Sequence, residues 1–100
     1  MKIYISGAIT GTSDYMERFA EAEKRVRETY YKCNSIINPA RVNAQLPQDT
    51  NHEQYMMMSF TMLDMCDTIY LMKGWKDSKG ACMEYGYALG KGMTIIMEGD

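Results

Sequence analysis

One carboxylate set among small residues at the start of a helix is the group in this sequence best placed to do chemistry. In Ser78-Lys79-Gly80-Ala81-Cys82-Met83-Glu84-Tyr85-Gly86-Tyr87-Ala88-Leu89, Glu84 falls about one turn into a helix that follows an apolar strand. Peptide dipoles at a helix start favour an anion and are expected to keep it ionised. In a strand-to-helix crossover that helix end lies at the carboxyl edge of the sheet, where small-molecule sites form. Tyr4 and Ser6 share one face of the first strand, and Tyr4 is expected to hydrogen-bond the Glu84 carboxylate. The competing reading of Tyr4 is a core tyrosine with its hydroxyl near the surface. Ser78, with the amides exposed around Gly80, suits a phosphate or a ribose hydroxyl. It is equally suited to capping the helix.

Other candidates are weaker by themselves. The loop Gly7-Ala8-Ile9-Thr10-Gly11-Thr12 ends a strand and precedes a helix, so its N–H groups suit an anion or a sugar hydroxyl. It is neither a P-loop nor a dinucleotide fingerprint, having too few glycines and no following Lys-Ser/Thr. Trp75 suits stacking on a base or shielding a site, and equally suits packing at the sheet rim. His52 falls in the first turn of a helix that can face the same crevice, but it has no carboxylate or thiol partner nearby in sequence. Asp67, at the opposite end of its strand, reads as structural. No Ser-His-Asp pattern stands out.

These groups must be held by a small domain. One hundred residues, 46% hydrophobic and 24% charged, suit one globular core. A net charge of -2 offers no basic stripe for a nucleic-acid polymer. No apolar run approaches the roughly 20 residues needed to span a bilayer, and the first residues are too short and polar for a signal peptide. Cys33, Cys66 and Cys82 are odd in number and lack metal spacing, which fits a reducing cytoplasm and no zinc. The methionine-rich run Met56-Met57-Met58 reads as a helix with Met in the core and some spilling outward, ahead of the competing reading, an adaptable binding surface.

Alternation and turn signals place strands at Lys2 to Ser6, Ser35 to Asn38, Asp67 to Met72 and Met93 to Met97. Helices are predicted from a Ser13 or Asp14 cap to about Tyr30, from an Asn51 cap to near Met65, and from Ser78 to Gly90 or Gly92. The first should bury Phe19, Ala22, Val26 and Tyr30. Residues 40 to 50 read as a loop. The order β-α-β-α-β-α-β predicts a three-layer, Rossmann-like or flavodoxin-like α/β domain over residues 1–100, its parallel sheet in the order 2-1-3-4. That order puts a topological switch between the first and third strands, beside the start of the Glu84 helix. Two free sheet edges in so small a domain suggest a homo-oligomer.

In this order and context the chain resembles the nucleoside 2-deoxyribosyltransferase superfamily, including its 2-deoxynucleoside 5'-monophosphate N-glycosidase branch. It looks closest to the short DUF4406-type members. The resemblance is carried by Ile3-Tyr4-Ile5-Ser6-Gly7-Ala8-Ile9-Thr10-Gly11, Asn38-Pro39-Ala40, Cys66-Asp67, Gly74-Trp75 and Ser78-x-Gly80-x-x-x-Glu84-x-Gly86-x-Ala88. It implies that Glu84 is the nucleophile at the anomeric carbon of a nucleoside or nucleotide, and that Tyr4 orients it. It also implies that Ser6, Gly7, Ala8, Ile9, Ser59, Trp75, Ser78 and Gly80 bind substrate, with no cofactor and no metal. Serine at 78 matches the nucleotide hydrolases, where it contacts a 5'-phosphate; the transferases have aspartate. Ser59 stands where the family has a second carboxylate, and Thr10 where the nucleotide hydrolases have arginine. Asp77 or Glu53 are the available substitutes for the acid, and Lys73, Lys76 or Lys79 for the phosphate-neutralising charge. A catalytically silent nucleotide-binding module of the same fold is the alternative reading.

Overall fold

The computed structural model describes residues 1–9, 11–33 and 35–99; Thr10, the position at which the nucleotide hydrolases have arginine, lies outside them. The elements run β1 (Lys2–Ser6), α1 (Tyr15–Thr29), β2 (Ser35–Ile37), α2 (Pro39–Asn43), α3 (His52–Asp64), β3 (Thr68–Leu71), a 3-10 turn (Trp75–Asp77), α4 (Lys79–Gly90) and β4 (Thr94–Met97). The four strands form one sheet in the order β2-β1-β3-β4. All three pairings are parallel, with Tyr4 opposite Ile37 on one side and Ile69 on the other. The expected strand order is the observed one.

Right-handed crossovers explain how the helices divide. The chain moves one way from β1 to β2 and the other way through β3 and β4, so α1 covers one face and α3 with α4 cover the opposite face. Strand alternation supplies a core to each. Ile3, Ile5, Tyr70 and Met72 pack with Phe19, Ala22 and Val26 of α1. Tyr4, Ile69 and Leu71 pack with Met62, Leu63 and Ala88 of α3 and α4. β3 is buried along its whole length, as its apolar composition requires of a central strand. Asp67 is structural: its carboxylate accepts the Lys2 N–H at 3.2 Å and joins the foot of β3 to β1. Of the methionine run, Met56 is buried and Met57 and Met58 are exposed.

Residues 40 to 50, expected as a loop, begin with a helical turn instead. Asn38 caps α2, its side-chain oxygen accepting the Ala40 N–H at 3.0 Å, and Pro39 supplies the fixed φ of a first helical residue. Glu23 of α1 braces the cap by accepting the Asn38 side-chain N–H at 3.1 Å. That support lies 15 residues upstream and has no local sequence signature. Tyr30 is the C-cap of α1; it is half-buried and packs against the same core as Phe19, Ala22 and Val26.

Gly7 is required sterically, since a Cβ there would lie 2.7 Å from the Met72 sulfur and 3.0 Å from its Cβ. Gly86 in α4 meets nothing within 4 Å. Gly7→Ala should therefore lower the unfolding free energy by about 1–3 kcal/mol through overpacking. Gly86→Ala should raise it by about 0.5–1 kcal/mol through helix propensity. Urea denaturation of the two variants against the parent measures both.

Candidate functional site

Glu84 occupies a helix position normally held by an apolar residue. Ala81, Glu84 and Ala88 form the stripe of α4 that faces the sheet. The alanines on either side let the helix lie close to the strands, so the longer glutamate side chain reaches β1. There Tyr4 donates its hydroxyl to Oε2 at 2.7 Å, and Ser6 donates to Oε1 at 2.6 Å. Tyr4 and Ser6 are fully buried and Glu84 is 7% exposed. Ser78 caps α4, its oxygen accepting the Ala81 N–H at 3.2 Å, and it also lines the cavity described below.

Burial, not the helix dipole, dominates the charge state. Desolvation lifts the Glu84 carboxyl above the usual carboxylate range; the hydrogen bonds from Ser6, Tyr4 and Ser59 oppose that rise only in part. This corrects the expectation that the helix start alone would keep it ionised. Glu84 sits beyond the first turn, where the dipole's influence has faded. Among the described residues, no lysine or arginine forms an ion pair with it. The Tyr4 hydroxyl is pushed well above its ordinary value by burial and then by the Glu84 charge, so it stays protonated as a donor. A carboxylate offers about four acceptor positions. Ser6 and Tyr4 take two and Ser59 adds a lesser third, which leaves capacity for one more atom.

That capacity matters because Glu84 lines a cavity of about 620 Å³, within the range of small-molecule sites. Tyr4, Gly7, Ile9, Ser59, Ser78 and Gly80 line it too. Ser6 lies behind Glu84 and touches it directly. Ala8 and Trp75 are not in the wall; Trp75 packs on Tyr85 with ring centroids 4.7 Å apart. Of the substitutes weighed for the missing acid, Asp77 lines the cavity and Glu53 does not. Of the three lysines only Lys79 does, and His52 joins it. A larger groove of about 900 Å³ lies on the α1 face, shares no lining residue with this cavity and is walled by surface charges.

Pattern reading missed Pro39, Asn43, Tyr55 and Met56, all in the cavity wall. Asn43 is the most informative. Its Oδ1 is the one buried side-chain polar atom among the described residues without a hydrogen-bond partner. Buried acceptors are nearly always satisfied, so this one is an exception, and it belongs to a residue of the cavity wall. The Asn38-Pro39 pair was the available signal, because Pro at a first helical position can start a helix.

A family profile described as a domain of unknown function, DUF4406, matches residues 1–97. The chain belongs to the DUF4406 family. No curated protein matches it. In this DUF4406 member the described residues include no group of three or more His, Cys, Asp or Glu side chains able to hold a metal ion. They include no helix long and apolar enough to cross a membrane.

The buried carboxyl makes a thermodynamic prediction for this DUF4406 chain. Because the folded-state pKa is raised, Glu84 contributes most favourably when protonated, below its unfolded pKa. That contribution is lost as pH rises through the folded pKa. Glu84→Gln should therefore melt higher than the parent at pH 7, and the difference should shrink as pH falls towards 4. Thermal melts of both proteins across that range measure it; a gap that widens on acidification contradicts the burial account.

Proposed function

We propose that this protein breaks N-glycosidic bonds of a nucleoside or nucleotide, with Glu84 as the nucleophile. The observation that carries the reading is a buried carboxylate, paired with hydroxyls rather than a cation, in the wall of a cavity of about 620 Å³. A salt-bridged carboxylate would be a poor nucleophile. One whose only partners are hydroxyls keeps its electron density and is fixed in direction. The resemblance to the nucleoside 2-deoxyribosyltransferase superfamily supports this reading, since it implies a nucleophile at Glu84 and an orienting hydroxyl at Tyr4.

In the proposed reaction a Glu84 oxygen attacks C1' as the bond from C1' to the base nitrogen breaks, and that electron pair leaves with the base. The transition state carries positive charge on the sugar, which the adjacent anion stabilises. Tyr4 and Ser6 hold the carboxylate on line. Water, or a second base, then attacks C1' and frees Glu84, which suits retention at the sugar carbon. Hydrolysis and transfer share the first step and differ only in this acceptor. The substrate is a small molecule, and no cofactor enters the scheme. Ser78, Lys79 and the start of α4 suit a 5'-phosphate.

A second reading, a nucleotide-binding module without catalysis, is favoured by one observation. Ser59 supplies a hydroxyl beside Glu84 where the resembled family has a carboxylate, and Asp77 stands at an exposed rim position. Such a module would keep the pocket and lack the second group that handles protons in base expulsion.

Base release from a panel of nucleosides and 5'-nucleotides tests the first reading. Glu84→Ala should abolish turnover, and Tyr4→Phe should reduce kcat by about 10²-fold, the scale of one positioned group. Turnover by Glu84→Ala equal to that of the parent would refute the proposal. Nucleotide binding by calorimetry with no turnover, gained on Ser59→Asp, would select the second reading instead.

A further inference from the structure

The two edges of the sheet are not equivalent. β2 is three residues long and stops just before Pro39, as protected edges do. β4, Thr94-Ile95-Ile96-Met97, contains no charge and no proline, and Met97 is 47% exposed. Its hydrogen bonding fixes which groups are free. The Thr94 N–H donates to the Asp67 carbonyl at 3.0 Å, and the Glu98 N–H donates to the Leu71 carbonyl at 2.9 Å. Alternate residues of a strand bond to opposite sides, so Ile95 and Met97 direct their N–H and C=O groups away from the sheet.

The face beside this edge is also uncovered. Among the described residues α1 is the sole long helix on its side of the sheet, and it packs over β1. Between α1 and β4 runs the groove of about 900 Å³, floored by Tyr70, Met72 and Ile96. The charge nearest the edge is already neutralised: Glu98 accepts from Arg25 at 2.6 Å and from the Lys73 N–H at 3.0 Å. The groove's helical wall carries both signs, with Glu17 and Glu21 beside Arg18 and Arg25.

We propose that β4 is the interface for a second copy of this chain, the two strands pairing antiparallel about a two-fold axis at Ile96. Ile95 then exchanges both backbone bonds with the partner's Met97, and Met97 with the partner's Ile95. The two Ile96 residues form the close, non-bonded pair between them, with side chains together on the groove side. A two-fold contact must be self-complementary. An alternating free edge, an internally paired Glu98 and a wall of mixed sign meet that condition without opposing like charges. The result is a continuous eight-stranded sheet. None of the β4 residues lines the Glu84 cavity, so pairing leaves that cavity open.

Sedimentation velocity of the full chain over micromolar to submillimolar concentration tests this. The parent should show a concentration-dependent dimer. Met97→Pro removes an outward N–H and leaves the inner ladder intact; Ile96→Lys places two charges at the axis. Each should weaken the dimer by about tenfold or more. Leu89→Lys and Met57→Lys, on exposed helix faces, should leave it unchanged. Amide exchange gives a readout that needs no variant: Ile95 and Met97 should gain protection as concentration rises. A parent that stays monomeric, a dimer lost in Leu89→Lys, or edge amides indifferent to concentration would overturn the proposal.

Discussion

A carboxylate taken out of water without a cation beside it is the constraint on which this structure turns. An ionised group in that position is tolerated only when hydrogen-bond donors surround it. Here the donors are the hydroxyls of Tyr4 and Ser6, with Ser59 adding a smaller share. All three lie in elements other than the helix that carries Glu84. The sheet and α3 must therefore be docked against α4 before the charge is supportable, so the site and the fold are mutually dependent. A hydrophobic residue at position 84 would satisfy the core more easily; the structure instead keeps a destabilising group at its centre, as functional sites often do.

The surrounding architecture follows from keeping that carboxylate both buried and reachable. Alanines at 81 and 88 bring α4 down onto the strands. The strand order opens a crevice between the ends of β1 and β3, and Gly7 accepts the close approach of Met72 there. The short helix α2 closes another side of the cavity, held from α1 through Glu23 and Asn38. Glu23 is itself a buried carboxylate held below the usual range, by hydrogen bonds from Asn38 and Arg27 that outweigh its desolvation. The contrast with Glu84 is instructive. Glu23 has arginine partners and serves packing, whereas Glu84 has only hydroxyls and faces a cavity.

Much of this was legible beforehand because it depends on local periodicity. Helices α1, α3 and α4 and all four strands lie where capping residues, apolar alternation and glycine punctuation place them, within a residue or two at the ends. The strand order also followed, since right-handed connections leave few alternatives. The Tyr4–Glu84 contact, across 80 residues, came from strand-face parity joined to the position of the crossover helix. What escaped were features with distant supports: α2, the place of Asn43 in the cavity wall, and its unpartnered side-chain oxygen. Pattern reading sees neighbours in sequence, and each of these depends on contacts between elements.

The amino-acid order alone determined which groups could act, because residue type and period assign Glu84, Tyr4, Ser6 and Ser78 to particular faces of particular elements. Tertiary structure decided what those groups are. It set the Glu84 acidity by burial against the dipole that local position suggested, and it chose which lysine and which aspartate reach the cavity. Desolvation and cavity shape are sums over many elements brought together, so neither is encoded in any single stretch of chain.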